Sequence, residues 1–189
     1  MKESIQQINL TKHTPVDIRL WSGSFELYTH PELSVKIDAG AISNMDIVPE
    51  LMLKDGRVTI SNQLFPAILA KSDTIKIKMY VPDESVVNFR QVTGSLTVSG
   101  SYKKLRTKNW LGDVYAHLDK LFVREKANLE VISGDIYIDS EDQSCIQSRS
   151  GYENYQFFKF YNGSSIKAHT HIGEVKWKFY PQNERYYFA

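Results

Sequence analysis

A single cysteine, Cys145, stands among 189 residues, so no intramolecular disulfide staples this chain. Its thiol reads as a small side chain, buried or half-buried. Charge of one sign is missing too: 23 Lys and Arg stand against 22 Asp and Glu, which leaves no global field to draw the protein to nucleic acid or a membrane. Electrostatic recognition must therefore come from local arrangement. No apolar run approaches the ~18 to 20 residues needed to span a bilayer as a helix. The stretch from Met1 to Leu10 lacks the apolar core of a secretory signal, which points to the cytoplasm, with envelope association as the alternative. Helical periodicity is absent over any window of 11 or more residues, so the chain is expected to be almost all β. No P-loop, dinucleotide fingerprint, Ser/His/Asp order or Cys/His metal signature appears. The expectation is a non-enzyme without a cofactor or metal.

What is present is a spacing of glycines. Eight of the ten fall at 23, 40, 56, 94, 112, 134, 151 and 173, in steps of 17, 16, 38, 18, 22, 17 and 22. The step of 38 is two units long and places a ninth centre near Ile75. The eight resulting steps average 150/8, or 18.75 residues, and a fixed period of this size is the signature of stacked repeats.

Each centre can be tested for the alternation that a strand imposes on its two faces. Offsets −7, −5, −3, +2 and +4 give Val16, Ile18, Leu20, Phe25 and Leu27 for the first unit, and Ala127, Leu129, Val131, Ile136 and Ile138 for the unit at 134. Over nine units 35 of 45 such positions are apolar, against 11 of 45 at the interleaved offsets. That contrast defines one inward and one outward face.

The units span 16 to 27, 33 to 44, 49 to 60, 68 to 79, 87 to 98, 105 to 116, 127 to 138, 144 to 155 and 166 to 177. One elongated domain is expected over 1–189: an N-terminal cap at 1–15 carrying Ile5, Ile8 and Leu10, repeats over 16–177, and a C-terminal cap at 178–189. Tyr186, Tyr187 and Phe188 in that last segment also suit self-association. The longer connectors, His117 to Lys126 and Gln156 to Ser165, have apolar residues of their own, enough to add a strand or to project. Two folds accommodate the unit. In a single-stranded β-solenoid of about nine short rungs, each glycine is a corner and equivalent strands stack in parallel, for a rise of roughly 43 Å. In an antiparallel β-meander or sandwich, each Ser-Gly is a hairpin turn. The sustained period favours the solenoid.

Thr93-Gly-Ser-Leu96, Leu111-Gly-Asp-Val114, Ser133-Gly-Asp-Ile136 and Ile172-Gly-Glu-Val175, entered through Thr74 to Pro82, resemble the bacterial putative-adhesin family of uncharacterised β-helix-like repeat domains. The resemblance covers about residues 74 to 177. It implies a β-helix-like domain of the kind often attached to cell-envelope proteins, with no catalytic residue to carry over.

Several constellations invite chemistry. Asp113, Asp135 and Glu174 share one offset, as paired acids of a β-helical carbohydrate-active enzyme would, but a short carboxylate after glycine also serves a turn. His169 and His171 point the same way along a strand and need a third ligand to hold a metal. Asp139 to Gln143 lacks the glycine and terminal glutamate of a calcium loop and reads as a solvated turn. Offset −4 is basic in five of nine units, at Arg19, Lys36, Lys71, Arg90 and Lys108. Parallel stacking would align these as a cationic stripe for acidic glycan, lipid headgroups or nucleic acid, unless they only solubilise the surface. Trp21 and Trp110 belong to the adjacent outward column, five units apart. The leading expectation is a non-catalytic binding or scaffolding module whose partner is an envelope protein or an acidic glycan. The alternatives are the carbohydrate-active enzyme and an anion-binding module that uses the stripe.

Overall fold

The computed structural model describes residues 2–42, 48–62, 76–117, 126–140, 146–161 and 163–179, and all regular structure among them is β. The strands are β1 Lys2–Asn9, β2 Val16–Ser22, β3 Ser24–His30, β4 Ser34–Ile42, β5 Glu50–Lys54, β6 Arg57–Ser61, β7 Lys76–Pro82, β8 Ser85–Thr93, β9 Leu96–Ser99, β10 Tyr102–Leu111, β11 Val114–His117, β12 Lys126–Ser133, β13 Ile136–Ser140, β14 Ile146–Tyr152, β15 Tyr155–Phe160, β16 Ser165–Ile172 and β17 Val175–Phe179. They form two mixed sheets, and neither closes into a barrel. Sheet A runs β1-β4-β7-β3-β9-β11-β13-β17, and sheet B runs β14-β15-β16-β12-β10-β8-β2-β6-β5.

Alternation decides which side of each strand faces the core. In β12, Ala127, Leu129 and Val131 are buried while Asn128, Glu130 and Ile132 point away. The inner faces of the two sheets meet in one cluster, where Phe25 of sheet A and Phe89 of sheet B cross edge to face at 6.3 Å. Each large apolar side chain buried in this way contributes about 1.5–3 kcal/mol. Some inward positions are polar, and their partners explain them. The Gln91 amide donates to the carbonyls of Gly23 and Thr93 at 2.7 Å, and the Asn109 amide to Gly94 and Gly112 at 2.9 and 3.0 Å. Bend carbonyls that turn inward are thereby satisfied.

At Ser133-Gly134-Asp135 the chain leaves sheet B and enters sheet A, so β12 and β13 pair not with each other but with equivalents from other units. β12 lies parallel between β10 and β16, and β13 parallel between β11 and β17. The same change of sheet occurs at Gly23, Gly94, Gly112 and Gly173. Backbone bonding continues through the bends: Gly94, Gly112 and Gly134 donate their N–H groups to Leu111, Ser133 and Ile172, each at 2.9 Å. Six successive strands of each sheet are parallel. Antiparallel pairs lie at the ends, where β1, β4, β5, β14 and β15 join. Two sheets over one core are also compatible with a sandwich.

Three of the nine sequence centres are not corners of this kind. Gly40 lies inside β4, Gly151 lies inside β14, and Gly56 with Asp55 turns the β5–β6 hairpin in the left-handed conformation, at φ +70° and +50°. The centre near Ile75 lies outside the described residues. Stacking order also departs from chain order, because β2 sits between β6 and β8, and β3 between β7 and β9. The first unit is therefore interior to the sheets. The connector Gln156 to Ser165 supplies β15, which adds to sheet B beside β16 and stacks Phe158 against Trp177 with ring centroids 3.8 Å apart.

Candidate binding face

The outward side of sheet B gathers charge that the whole chain does not have. Register aligns Arg19 with Arg90, Arg90 with Lys108, Lys108 with Glu130, and Glu130 with His169. The neighbouring outward column brings Asp17, Asn88 and Arg106 alongside. With Arg57 of β6, five cationic heads face two carboxylates, Asp17 and Glu130.

The two carboxylates are held by specific partners. Arg57 and Asn88 donate to Asp17 at 2.5 and 2.9 Å. Burial pushes the Asp17 carboxyl up, but these hydrogen bonds and the charges of Arg57 and Arg19 outweigh it and bring it below the ordinary carboxylate value. Lys108 donates to Glu130 at 3.0 Å, and His171 approaches the same oxygen at 3.6 Å. The Lys108 hydrogen bond is the main reason that Glu130 also lies below its ordinary value. Arg19 and Arg90 make no salt bridge or hydrogen bond with a described side chain.

Trp21 and Trp110 flank this column. β2 pairs directly with β8, and β8 with β10, so the two tryptophans are two ladder steps apart, roughly 10 Å, with Val92 between them. They are 45% and 56% exposed. β6 stops at Ser61, and the Asn62 side chain accepts the Trp21 N–H at 2.9 Å in place of the missing strand. A shallow hollow of about 560 Å³ opens there, lined by Arg19, Trp21, Arg90, Val92, Lys108 and Trp110 among others.

Of the five basic residues aligned by sequence spacing, Arg19, Arg90 and Lys108 share this face. Lys36 does not: Gly40 makes no bend, so β4 continues in sheet A, where the Lys36 ammonium lies 5.6 Å over the Tyr80 ring. Lys71, Cys145, Tyr186, Tyr187 and Phe188 lie outside the described residues. The nearness of Trp21 and Trp110 escaped the sequence, since chain order separates them by five units. Arg57 and Arg106 were legible only as ordinary outward residues.

Other constellations have structural partners. Asp113 accepts the Asp135 N–H at 2.8 Å, and Asp135 accepts the Glu174 N–H at 2.9 Å and the Lys176 ammonium at 2.6 Å. These carboxylates bridge one bend to the next. The rings of His169 and His171 are 4.6 Å apart. Among the described residues no group of three or more His, Cys, Asp or Glu is arranged to hold a metal, and no helix is long and apolar enough to cross a membrane.

The fold and this face define an all-β, two-sheet protein with an open cationic and aromatic surface. No family model matches the sequence, and no curated protein matches it either. Among solved structures it is similar to a putative cell adhesion protein from Clostridium sporogenes, with a TM-score of 0.65 at 16% identity, over 94% of this chain and 98% of that one. A putative adhesin from Bacteroides fragilis aligns over 95% of this chain and 97% of its own at 11% identity, but its TM-score of 0.28 carries no argument. The Clostridium likeness shows the fold, and the name of that protein agrees with the adhesin resemblance of the bend motifs.

Proposed function

We propose that this protein is a non-catalytic binding module of adhesin-like type that engages an anionic partner through the outward face of sheet B. The parallel-stacked units that bend at Gly23, Gly94, Gly112, Gly134 and Gly173 are read as a β-solenoid. Parallel pairing of equivalent strands around shared glycine bends supports that reading. The observation that carries the function is the adjacency of Arg19 and Arg90, neither of them in a salt bridge with a described side chain, next to the exposed Trp21 and Trp110. Like charges on neighbouring strands repel by up to about 1 kcal/mol in water, a cost that an anionic ligand would reverse. A fold shared with a protein named for cell adhesion fits such a module at the envelope.

Retention on immobilised heparin tests the reading. Arg19→Ser with Arg90→Ser should elute at clearly lower salt than Lys76→Ser with Lys78→Ser, which removes the same charge from sheet A. Equal elution of the two variants would refute it.

A further inference from the structure

We infer that the ligand of this face is a linear acidic polysaccharide whose pyranose rings lie on Trp21 and Trp110 while its carboxylates meet Arg19 and Arg90. The inference rests on the binding-face reading above and adds the ligand's chemistry to it.

The geometry has two parallel tracks. Trp21, Val92 and Trp110 form one column along the stacking direction, and Arg19, Arg90 and Lys108 form the next column, two residues away on the same strands. Two residues along a strand span about 7 Å. The aromatic surfaces, roughly 10 Å apart, are separated by about the length of two linked sugar rings. A pyranose has an apolar face of C–H groups that suits an indole, and a ring carboxylate projects from the edge of that face. A chain of uronic acids thus presents apolar faces to one column and carboxylates to the other. The planar guanidinium fork of arginine pairs with carboxylate through two parallel hydrogen bonds.

Sparse charge favours such a polymer over nucleic acid. A nucleic-acid strand carries a phosphate about every 3.4 Å and is bound by neutralising many of them. Here the cationic column is interrupted at Glu130, which holds Lys108, and is flanked by Asp17. Arg19 and Arg90, one ladder step of about 4.8 Å apart, match the carboxylates of two adjoining uronic rings and would leave most phosphates of a nucleic acid unpaired.

The test uses the intact chain with four probes: oligogalacturonate, its methyl-esterified neutral form, polyphosphate and oligo(dT). Titration calorimetry should show oligogalacturonate binding at least about tenfold more tightly than the other three. Trp21→Ala with Trp110→Ala should weaken it by about tenfold or more, the scale of losing one good aromatic contact. Arg19→Ser with Arg90→Ser should weaken it similarly. These side chains are exposed, and unchanged unfolding midpoints would show that the variants fold. If polyphosphate or oligo(dT) binds as well as oligogalacturonate, or the tryptophan variant binds it unchanged, the polysaccharide assignment is overturned. Should heparin retention still fall in the arginine variant, the binding face itself would survive that result.

Discussion

Replacing Gly112 by alanine isolates what the bends require. Gly112 has φ +113°, and a Cβ there would sit 2.3 Å from the carbonyl oxygen of Gly94, which belongs to the neighbouring unit. Two costs follow. Holding an L residue in that conformation costs about 1–3 kcal/mol, and displacing a packed backbone neighbour costs roughly 1–3 kcal/mol more. The sum, about 2–6 kcal/mol, is a large part of the 5–15 kcal/mol by which domains are typically stable. Gly56 is the control. Its φ is +70°, and a Cβ there would meet nothing within 4 Å, so Gly56→Ala should cost only about 1–2 kcal/mol. Urea unfolding followed by tryptophan fluorescence measures both, and the midpoint of Gly112→Ala should lie well below that of Gly56→Ala. Adding Gly134→Ala, whose Cβ would approach the Gly112 oxygen to 2.5 Å, should cost less than the sum of the single changes, because the first displacement relieves the second contact. Equal midpoints for Gly112→Ala and Gly56→Ala would refute the stacked-bend account.

A carboxyl whose pKa is lower in the folded than in the unfolded chain contributes its stability fully above the unfolded value and loses it as pH falls through the folded value. Asp17 is such a group, so Asp17→Asn should flatten the decline in urea midpoint below about pH 4, and a profile parallel to the parent's would contradict the Arg57–Asp17–Asn88 assignment. Asp135 accepts bonds from the Glu174 N–H, Lys176 and Tyr137, whereas Asp113 accepts from the Asp135 N–H and, at 3.4 Å, from Tyr115. Asp135→Ala should therefore cost more than Asp113→Ala, about 1–3 kcal/mol, as read by thermal melts.

The faces of the strands were legible because alternation is local. Leu129, Val131, Ile136 and Ile138 are buried where their offsets place them, and Gln91, Thr107, Asn109 and Thr170, which break the apolar pattern, are nevertheless inward. Their side chains include donors for the bend carbonyls, a role that only the stacked arrangement reveals. Asp113 and Asp135 were legible as turn residues by the same local logic. Gly56 was misplaced by its spacing, although Asp55-Gly56 is itself a hairpin signal. Stacking order is a non-local property. Nothing near Trp21 encodes that β2 pairs with β8 while three other strands and a hairpin intervene in the chain, and the binding face depends on that pairing.

The two outward faces show why recognition belongs to sheet B. On sheet A the aromatic groups are already partnered: Tyr115 stacks on Tyr137 at 4.8 Å and Tyr28 on Tyr80 at 5.6 Å. The phenols of Tyr28, Tyr115 and Tyr137 donate to Glu26, Asp113 and Asp135 on their own side of the molecule. Burial, with the Glu26 carboxylate beside it, pushes Tyr28 up to about 12, so that phenol stays protonated and remains a donor. Rings that stack on each other and carboxylates that accept internal bonds stabilise the sheet and offer little to a ligand. On sheet B the register is just as regular, yet two arginines adjoin without a carboxylate between them, and two tryptophans stand apart across a valine. Both sheets use the same bends and the same parallel pairing, so the scaffold imposes no such difference. Substitutions on the tyrosine face should therefore act on stability, and those on the arginine and tryptophan face on binding.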